Sequence, residues 1–259
     1  MRFLLIGDVF GEMGRTILKE ELPRIKKEYG INFVIVNGEN IAHGKGIIEK
    51  YYKELLSQNI DVVTLGNHAF HNSNIYNFID DAKRMIRPIN FIGDTPGNDY
   101  VTINYNGIKI TVFQVLGNVF MPVEYNNPFH ETEKILPKFE DSDIIICDIH
   151  AEATSEKIAF GLHFDGKINI ITGTHTHVQT NDAHILPKGT LYMTDIGMTG
   201  SLDGVIGVEE EPIIHQYLTG EHKRHIPKSN GRKQFNALMV EINETTHKVT
   251  KFDTINIVQ

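Results

Sequence analysis

The chain has 259 residues, of which 41% are hydrophobic and 22% charged, with a formal net charge of −8 at pH 7. This composition is typical of a globular protein with a substantial core, and we expect one domain spanning 1–259. The negative charge argues against binding of bulk nucleic acid, but not against a small anionic substrate held by metal ions. Cys147 is the single cysteine, so an intramolecular disulfide is excluded.

The apolar runs are too short for a signal-peptide core or a membrane-spanning helix. Together with the lone cysteine, this predicts a cytoplasmic protein without membrane contact. The sequence does not decide the oligomeric state, and a homo-oligomer is one option.

The first half of the chain alternates short apolar runs with amphipathic stretches, a pattern typical of strands covered by helices. Strands are predicted over 2–6, 33–36 and 61–65, and helices over 16–29, 49–58 and 75–82. Pro23 lies within the first helix, where a proline introduces a kink. These elements predict a β-α architecture.

The second half has a different pattern. Asn106-Gly107 separates two apolar runs and is a strong hairpin signal. Buried strands are predicted over 143–147, 168–171 and 190–194, and a closing hairpin over 237–242 and 249–257. We expect residues 201–235 to form a long loop with one short helix near 212–218, and loops of that length are often functional. The mixture of β-α units and hairpins predicts an α/β fold with a mixed sheet core.

Polar side chains follow five of the predicted strands. In chain order they are Asp8, Glu39, Asn40, Asn67, His68, His150, His175 and His177. Ligands of open α/β sheets bind beyond the carboxyl ends of strands, so these side chains are expected to meet at one edge. Carboxylate, amide and imidazole donors without a thiolate suit Mn, Fe or Zn better than Ca or an iron-sulfur cluster.

Two short motifs refine this prediction. His175 and His177 are two residues apart, and in an extended chain such residues point to the same side, so the pair is expected to address one metal cluster. Residues 42–46 (AHGKG) either approach a phosphate through their backbone N–H groups or form a surface loop.

Each motif taken alone has a structural interpretation. An aspartate such as Asp8 after a strand is usually a cap or turn residue, Gly-Asn-His is often a turn, and an isolated His150 is more often a core histidine. The joint pattern favours a metal site, because structural needs do not place polar groups at five strand ends. Asp195 and Thr199 are interpreted as lining the site or orienting its ligands. The remaining histidines are interpreted as surface or loop residues: His71, His130, His163, His184, His215, His222, His225 and His247.

The motifs GDVFG, NGEN, GNH and GTHTH resemble those of the calcineurin-like metallophosphoesterase superfamily. NGENIAHGKG, HAEATSEK, GTHTHVQT and TDIGMTG are similar to its YmdB-like branch of 2',3'-cyclic-nucleotide phosphodiesterases, collinearly up to about residue 207. Two positions depart from the broad superfamily. Phe10 stands where its first motif has histidine, and Glu39 stands where it has the bridging aspartate. The branch shares both changes.

The resemblance implies a four-layer αββα sandwich of two mixed sheets holding two divalent ions, with iron favoured and manganese the alternative. It implies that one metal is held by Asp8, Glu39, Asn40 and His177. The other is held by Glu39, Asn67, His150 and His175, so that Glu39 bridges. A bridging hydroxide would attack phosphorus, and His68 would act as general acid on the leaving oxygen.

Three functions remain open from the sequence. The leading hypothesis is a phosphodiesterase acting on 2',3'-cyclic nucleotides, with 2',3'-cAMP as the best single substrate. A phosphomonoesterase or nuclease on the same metal core is the first alternative. A non-catalytic regulator that binds a metal or nucleotide is the second, although binding alone does not require a general acid.

Overall fold

The computed structural model describes residues 1–259 and contains fourteen strands and five α-helices. The strands are β1 Arg2–Ile6, β2 Asp8–Val9, β3 Phe33–Asn37, β4 Val62–Thr64, β5 Met85–Ile86, β6 Tyr100–Tyr105, β7 Ile108–Leu116, β8 Ile144–His150, β9 Ile170–Thr174, β10 His184–Ile185, β11 Leu191–Met193, β12 Met198–Ser201, β13 Lys233–Ile242 and β14 Val249–Val258. The helices are α1 Gly11–Tyr29, α2 Glu49–Ser57, α3 Pro128–Ile135, α4 Thr154–His163 and α5 Glu210–Thr219. No helix combines the length and apolar character that a bilayer crossing requires.

The strands form two mixed sheets. The first has eight strands in the order β2-β12-β13-β1-β3-β4-β5, with β14 paired to β13, and the second has six in the order β10-β11-β9-β8-β7-β6. Strands β1, β3, β4 and β5 run parallel to one another, as do β7, β8, β9 and β11. Each sheet therefore has an edge at which several strands end together.

Three apolar clusters separate four layers. Along β1, Leu4 and Ile6 pack against helix residues such as Ile17, whereas Phe3 and Leu5 pack between the sheets. This alternation follows from the two-residue period of a strand that is covered on both faces. A third cluster packs the second sheet against α4, which contributes Phe160. The arrangement is helix, sheet, sheet, helix, so the predicted four-layer αββα sandwich is confirmed.

The predicted α-helix over 75–82 is wrong. The chain forms two short 3₁₀ turns there, Ser73–Asn77 and Ile79–Asp81. Their hydrogen bonds run from residue i to i+3, as between Ile75 N–H and the Asn72 carbonyl. Ile75 and Ile79 are nevertheless buried, so the helical spacing marked the apolar face correctly.

Other boundaries also differ from the prediction. Helix α1 begins five residues early, at Gly11, and continues through Pro23 to Tyr29. Strand β8 runs on through His150, which lies in the strand and not after it. The hairpin at Asn106-Gly107 is confirmed, and both residues have the positive φ that the tight turn requires.

Candidate metal centre

The eight predicted site residues meet where the carboxyl edges of the two sheets adjoin. The first sheet contributes Asp8, Glu39, Asn40, Asn67 and His68, which follow β1, β3 and β4. The second sheet contributes His150, His175 and His177 from the end of β8 and the loop after β9. Residues of the two sheets lie within hydrogen-bonding distance of one another across the site. The pairs are Asn67 with His150, Asp8 with His175, and Asn40 with His177.

One set of donor atoms surrounds the ring nitrogen Nε2 of His150. Asn67 Oδ1 lies 2.9 Å from it, His175 Nδ1 3.0 Å and Glu39 Oε1 3.3 Å. Glu39, His150 and His175 each place a ligand atom within 4.8 Å of the others. A single N–H on His150 could serve only one of these three neighbours, whereas a cation would bind all four atoms.

Hydrogen bonds from inside the sandwich fix the tautomer of His150. The Thr174 hydroxyl donates to Asp148 Oδ1 at 2.6 Å, so its oxygen is free to accept from His150 Nδ1, 2.8 Å away. Asp148 in turn accepts from Thr64 and Gln114 through Oδ2. With its proton on Nδ1, a neutral His150 directs the lone pair of Nε2 into the site.

A second set of donor atoms surrounds His177. Its Nδ1 donates to the Ile206 carbonyl at 2.9 Å, and its Nε2 lies 3.2 Å from Asn40 Oδ1 and 3.8 Å from Asp8 Oδ2. Asn40 Nδ2 is already used as a donor to the Gly44 carbonyl at 3.0 Å, which identifies its oxygen as the atom facing His177. Burial lowers the pKa of His177. Two lone pairs therefore face each other without a proton between them, an arrangement that a cation satisfies.

Asp8 supplies an independent indication. It is fully buried, its Oδ2 accepts the backbone N–H of His175 at 3.0 Å, and its Oδ1 has no hydrogen-bond partner. Burial raises the pKa of Asp8 well above its usual range, although the charge of His150 opposes this. An unpartnered buried carboxylate oxygen is costly unless a cation pairs with it.

The charges of the remaining donors are coupled. Burial disfavours the charged form of His150, but attraction and hydrogen bonding to Glu39 outweigh burial and raise its pKa to about 9. Burial opposes ionisation of Glu39, yet the charge of His150 and its hydrogen bond hold the Glu39 pKa well below its usual range. Burial and the nearby His150 lower the pKa of His175 to about 3. The carboxylate thus favours a proton on His150 Nε2, and a metal ion at the same place would displace that proton and bind the lone pair.

Gly66 brings the backbone close to this centre. A Cβ atom at this position would lie 2.1 Å from Glu39 Oε2 and 2.7 Å from His150 Nε2. Only glycine leaves room for these two side chains, because real Cβ contacts are never so short. The first residue of the Gly-Asn-His motif therefore has a steric function that the motif alone does not reveal.

His68 lies beside the two sets of donor atoms described above. Asn40 Nδ2 lies 3.2 Å from His68 Nδ1, and an amide nitrogen can only donate, so Nδ1 accepts. Its backbone N–H donates to Glu39 Oε2 at 3.0 Å, which fixes the residue against the site. The side chain is 20% exposed. The proton on the other nitrogen, Nε2, is therefore the one that a bound molecule can receive.

The extended conformation assumed for His175 and His177 is wrong. Strand β9 ends at Thr174, and the two histidines have φ angles of 100° and 64°, so they lie in a tight loop. Both rings still reach the site, because Asp195 Oδ2 accepts the backbone N–H and hydroxyl of Thr176 between them.

Lys157, which none of the sequence motifs singles out, anchors this loop from the core side. Its ammonium donates to the Thr174 carbonyl at 2.7 Å and to Asp195 Oδ2 at 2.8 Å, and both charged side chains are 0% exposed. A signal was present in the sequence, since Lys157 occupies the same face of α4 as Phe160 and Gly161. A lysine at a core position of an amphipathic helix needs a buried anion.

Two further interpretations from the sequence are resolved by the structure. Three N–H groups of the 42–46 loop bond within the loop or to Asn40, so they are not free for a phosphate; they belong to Ala42, Gly44 and Lys45. Asp195 supports the site and Thr199 lies buried in β12.

The site opens into a cleft of about 1230 Å³. Its floor includes Glu39, Asn40, His68, His175 and His177, and one wall is formed by residues 206–229. The assembled donors lie at the bottom of a cavity that is open to a small molecule.

The chain is similar to several known proteins over almost its full length. It is 41% identical over 258 residues to a 2',3'-cyclic-nucleotide 2'-phosphodiesterase of Bacillus subtilis, covering 99% of this chain and 97% of the relative. It is 38% identical to a putative phosphatase/phosphodiesterase of Mycoplasma genitalium, covering 100% of this chain and 93% of the relative.

Solved structures agree with the fold. A crystal structure described as a novel phosphatase of Mycoplasma pneumoniae has a TM-score of 0.94 at 36% identity, covering 100% of this chain and 93% of its own. A hypothetical protein from Thermus thermophilus has a TM-score of 0.93 at 36% identity over the whole of both chains. A putative 5'-nucleotidase from Staphylococcus aureus shares the fold at a TM-score of 0.60 and 13% identity, covering 98% of this chain and 53% of its own.

A family model described as YmdB-like protein matches residues 4–255. With the relatives above, this match confirms the prediction of a hydrolytic enzyme of the metallophosphoesterase type. The chain therefore belongs to the YmdB-like family.

Proposed function

We propose that the protein is a two-metal phosphodiesterase that hydrolyses 2',3'-cyclic nucleotides, with 2',3'-cAMP as the best single substrate. The observation that carries the metal site is the convergence of lone pairs on His150 Nε2 and His177 Nε2. The substrate class is supported by the Bacillus subtilis relative, which is 41% identical over 258 residues.

The residues divide into two sets that share one carboxylate. Asp8, Glu39, Asn40 and His177 would hold one ion, and Glu39, Asn67, His150 and His175 would hold the other. Two divalent ions, iron or manganese by the donor set, would stabilise the charge of the phosphate and acidify the attacking water. Glu39 is the member common to both sets.

The chain's own residues supply the remaining chemistry. His68 donates the Nε2 proton to the ribose oxygen that leaves phosphorus, because its Nδ1 accepts from the Asn40 amide. Glu39 holds the backbone of His68 through Oε2, which keeps the acid in register with the metal ligands. The bond from phosphorus to the 2' oxygen breaks, and the product is a nucleoside 3'-phosphate.

The first test combines metal analysis with turnover. Purified protein is expected to contain about two transition-metal ions per chain and to hydrolyse 2',3'-cAMP until a chelator is added. Two bound metals without this activity would indicate that the substrate is another phosphodiester. A protein that takes up no metal after reconstitution with iron or manganese would contradict it.

Two single substitutions distinguish a metal ligand from the general acid. Glu39→Gln is expected to lose metal and turnover together, because it removes the shared carboxylate. His68→Ala is expected to keep both metals while kcat falls about 10²–10⁴-fold, the usual contribution of a general acid. Loss of metal from His68→Ala would make that residue a ligand.

Phosphomonoester hydrolysis is the second candidate, since the Mycoplasma genitalium relative is described as a putative phosphatase/phosphodiesterase. Comparing p-nitrophenyl phosphate with bis-p-nitrophenyl phosphate on the same preparation distinguishes the two activities. The proposal expects the diester to be hydrolysed faster.

A further inference from the structure

The long connection between β12 and β13, residues 202–232, forms one wall of the cleft and is held by its own hydrogen bonds. Val208 forms an antiparallel bridge with Pro227, and the Glu209 N–H donates to the Ile226 carbonyl at 2.8 Å. Helix α5 lies within it, and Ile213 of that helix packs with Phe10, Met198 and Val208. The Ile206 carbonyl also binds His177, so the wall is attached directly to the metal-type donors.

Among the cationic or titratable side chains that line the cleft from this wall and the loop opposite are Lys45, His222, Arg224 and His225. We call these four the cationic cluster. The rings of His222 and His225 lie 5.3 Å apart. Burial and the charges of His222 and Lys45 lower the pKa of His225, so these groups repel one another.

The cluster lacks the counterions that the neighbouring cations have. Lys223 pairs with Glu211, Lys228 with Glu209 and Glu210, and Arg232 with Asp203. Lys45 and Arg224 make no ion pair or side-chain hydrogen bond, although the chain has a net charge of −8. The segment thus leaves unpaired positive charge where it faces the cleft, which is the arrangement that recruits an anion.

The size of the cleft agrees with this. At about 1230 Å³ it exceeds the roughly 300–1,000 Å³ of most small-molecule sites. The cleft therefore has room for a molecule larger than a nucleoside cyclic phosphate.

We propose that the cationic cluster is a subsite for a second phosphate of the substrate, distinct from the phosphate that is cleaved. The inference rests on the proposed function and specifies its substrate class: nucleoside 2',3'-cyclic phosphates that are phosphorylated on the 5' oxygen. That phosphate is either a terminal 5'-monoester or the internucleotide diester of a short RNA fragment. Lys45 and Arg224 supply the permanent charges that bind it, by the charge-assisted bonds that phosphate oxygens accept.

Binding of two reaction products tests the subsite without requiring turnover. Adenosine 3'-phosphate and adenosine 3',5'-bisphosphate are titrated calorimetrically into the metal-loaded full-length protein. The bisphosphate is expected to bind at least tenfold more tightly. In Arg224→Ala and in Lys45→Ala this preference is expected to fall to about twofold. Lys223→Ala is the matched control, because Lys223 is the neighbour of Arg224 but pairs with Glu211, and it is expected to keep the full preference.

The outcomes separate the two proposals. Equal affinity for the two nucleotides, or a preference that survives both substitutions, would overturn the subsite and leave the proposed function intact. Failure of both nucleotides to bind would overturn the proposed function and the subsite with it.

A kinetic comparison shows whether the second phosphate is a terminal 5'-phosphate or an internucleotide phosphate. The values of kcat/KM are compared for adenosine 2',3'-cyclic phosphate, its 5'-phosphorylated form and the dinucleotide ApA ending in a 2',3'-cyclic phosphate. A gain confined to the 5'-phosphorylated mononucleotide indicates a terminal phosphate, and a gain with the dinucleotide indicates an internucleotide phosphate. No gain with either would overturn the subsite.

Discussion

At the scale of single residues, hydrogen bonds orient the metal-type donors before any ligand arrives. His177 is held by a backbone carbonyl, and His150 by a hydroxyl that itself donates to Asp148. Each contact places the ring proton on Nδ1 and leaves Nε2 directed into the site. Phe10, which stands where the broad superfamily has a histidine, packs edge-on against His177 with ring centroids 5.6 Å apart. It thereby supports the imidazole ring that Asn40 faces.

Gly66 allows a direct test at this scale. Gly66→Ala is expected to displace Glu39 and His150, because its Cβ would overlap both side chains. Metal content measured by elemental analysis is expected to fall well below that of the wild-type protein, and hydrolysis to fall at least tenfold. Gly38→Ala is the control, because its Cβ would approach only aliphatic side chains, the nearest at 3.0 Å. Full metal content in Gly66→Ala would contradict this account.

At the scale of elements, the site is built from strand ends and held by a helix. The parallel strands β1, β3 and β4 position the candidate oxygen ligands, and β8 and β9 position the candidate histidine ligands. The loop after β9 adopts positive φ at both histidines, a conformation that costs energy for residues other than glycine. The ion pair of Lys157 in α4 with Asp195 stabilises that loop from the core side.

Removal of one member of this ion pair is expected to lower the free energy of unfolding. Lys157→Met keeps the volume but leaves Asp195 buried without its cation, so the free energy of unfolding is expected to fall by about 3–5 kcal/mol. Chemical denaturation monitored by circular dichroism measures this. Lys157→Met with Asp195→Asn is expected to recover part of the loss, because no unpaired charge remains. Lys138→Met, at an exposed position, is expected to change stability by less than about 0.5 kcal/mol. An unaltered free energy of unfolding in Lys157→Met would show that the pair contributes little.

At the scale of the whole molecule, the candidate site joins the two sheets. Asp8, Glu39, Asn40 and Asn67 follow strands of the first sheet, and His150, His175 and His177 belong to the second. Between the sheets, Asp148 of the second binds Thr64 and Asn37 of the first. Below this polar layer the two sheets pack through an apolar cluster. Occupation of the site would therefore crosslink the open edge of the sandwich.

Metal removal is expected to lower the melting temperature. A metal present at 100 times its Kd stabilises the folded state by about 2.7 kcal/mol. For a chain of this size this corresponds to a shift of about 5–10 °C. Scanning calorimetry with and without chelator measures the shift, and Glu39→Gln is expected to show less than half of it. Identical melting curves for the chelated and loaded protein would contradict the crosslink.

The sequence alone determined much of this protein. Short continuous apolar runs marked the main strands, because a strand covered on both faces carries apolar side chains at successive positions. The eight polar residues near the ends of those runs were predicted to meet at one edge, and the structure brings all eight together. The motifs were sufficient for this because each candidate ligand lies within a few residues of a strand end.

The tertiary structure decided what depends on distant residues. The conformation of the His-x-His loop, the anchoring Lys157 and the steric requirement at Gly66 all depend on contacts with residues remote in sequence. Residues 202–232 lack periodicity, so their part in the cleft could not be read from local pattern. Lys45 and Arg224 are 179 positions apart, and only folding places both on one cavity. Local sequence determines local conformation and burial, whereas charge left unpaired in a cleft is a property of the assembled surface.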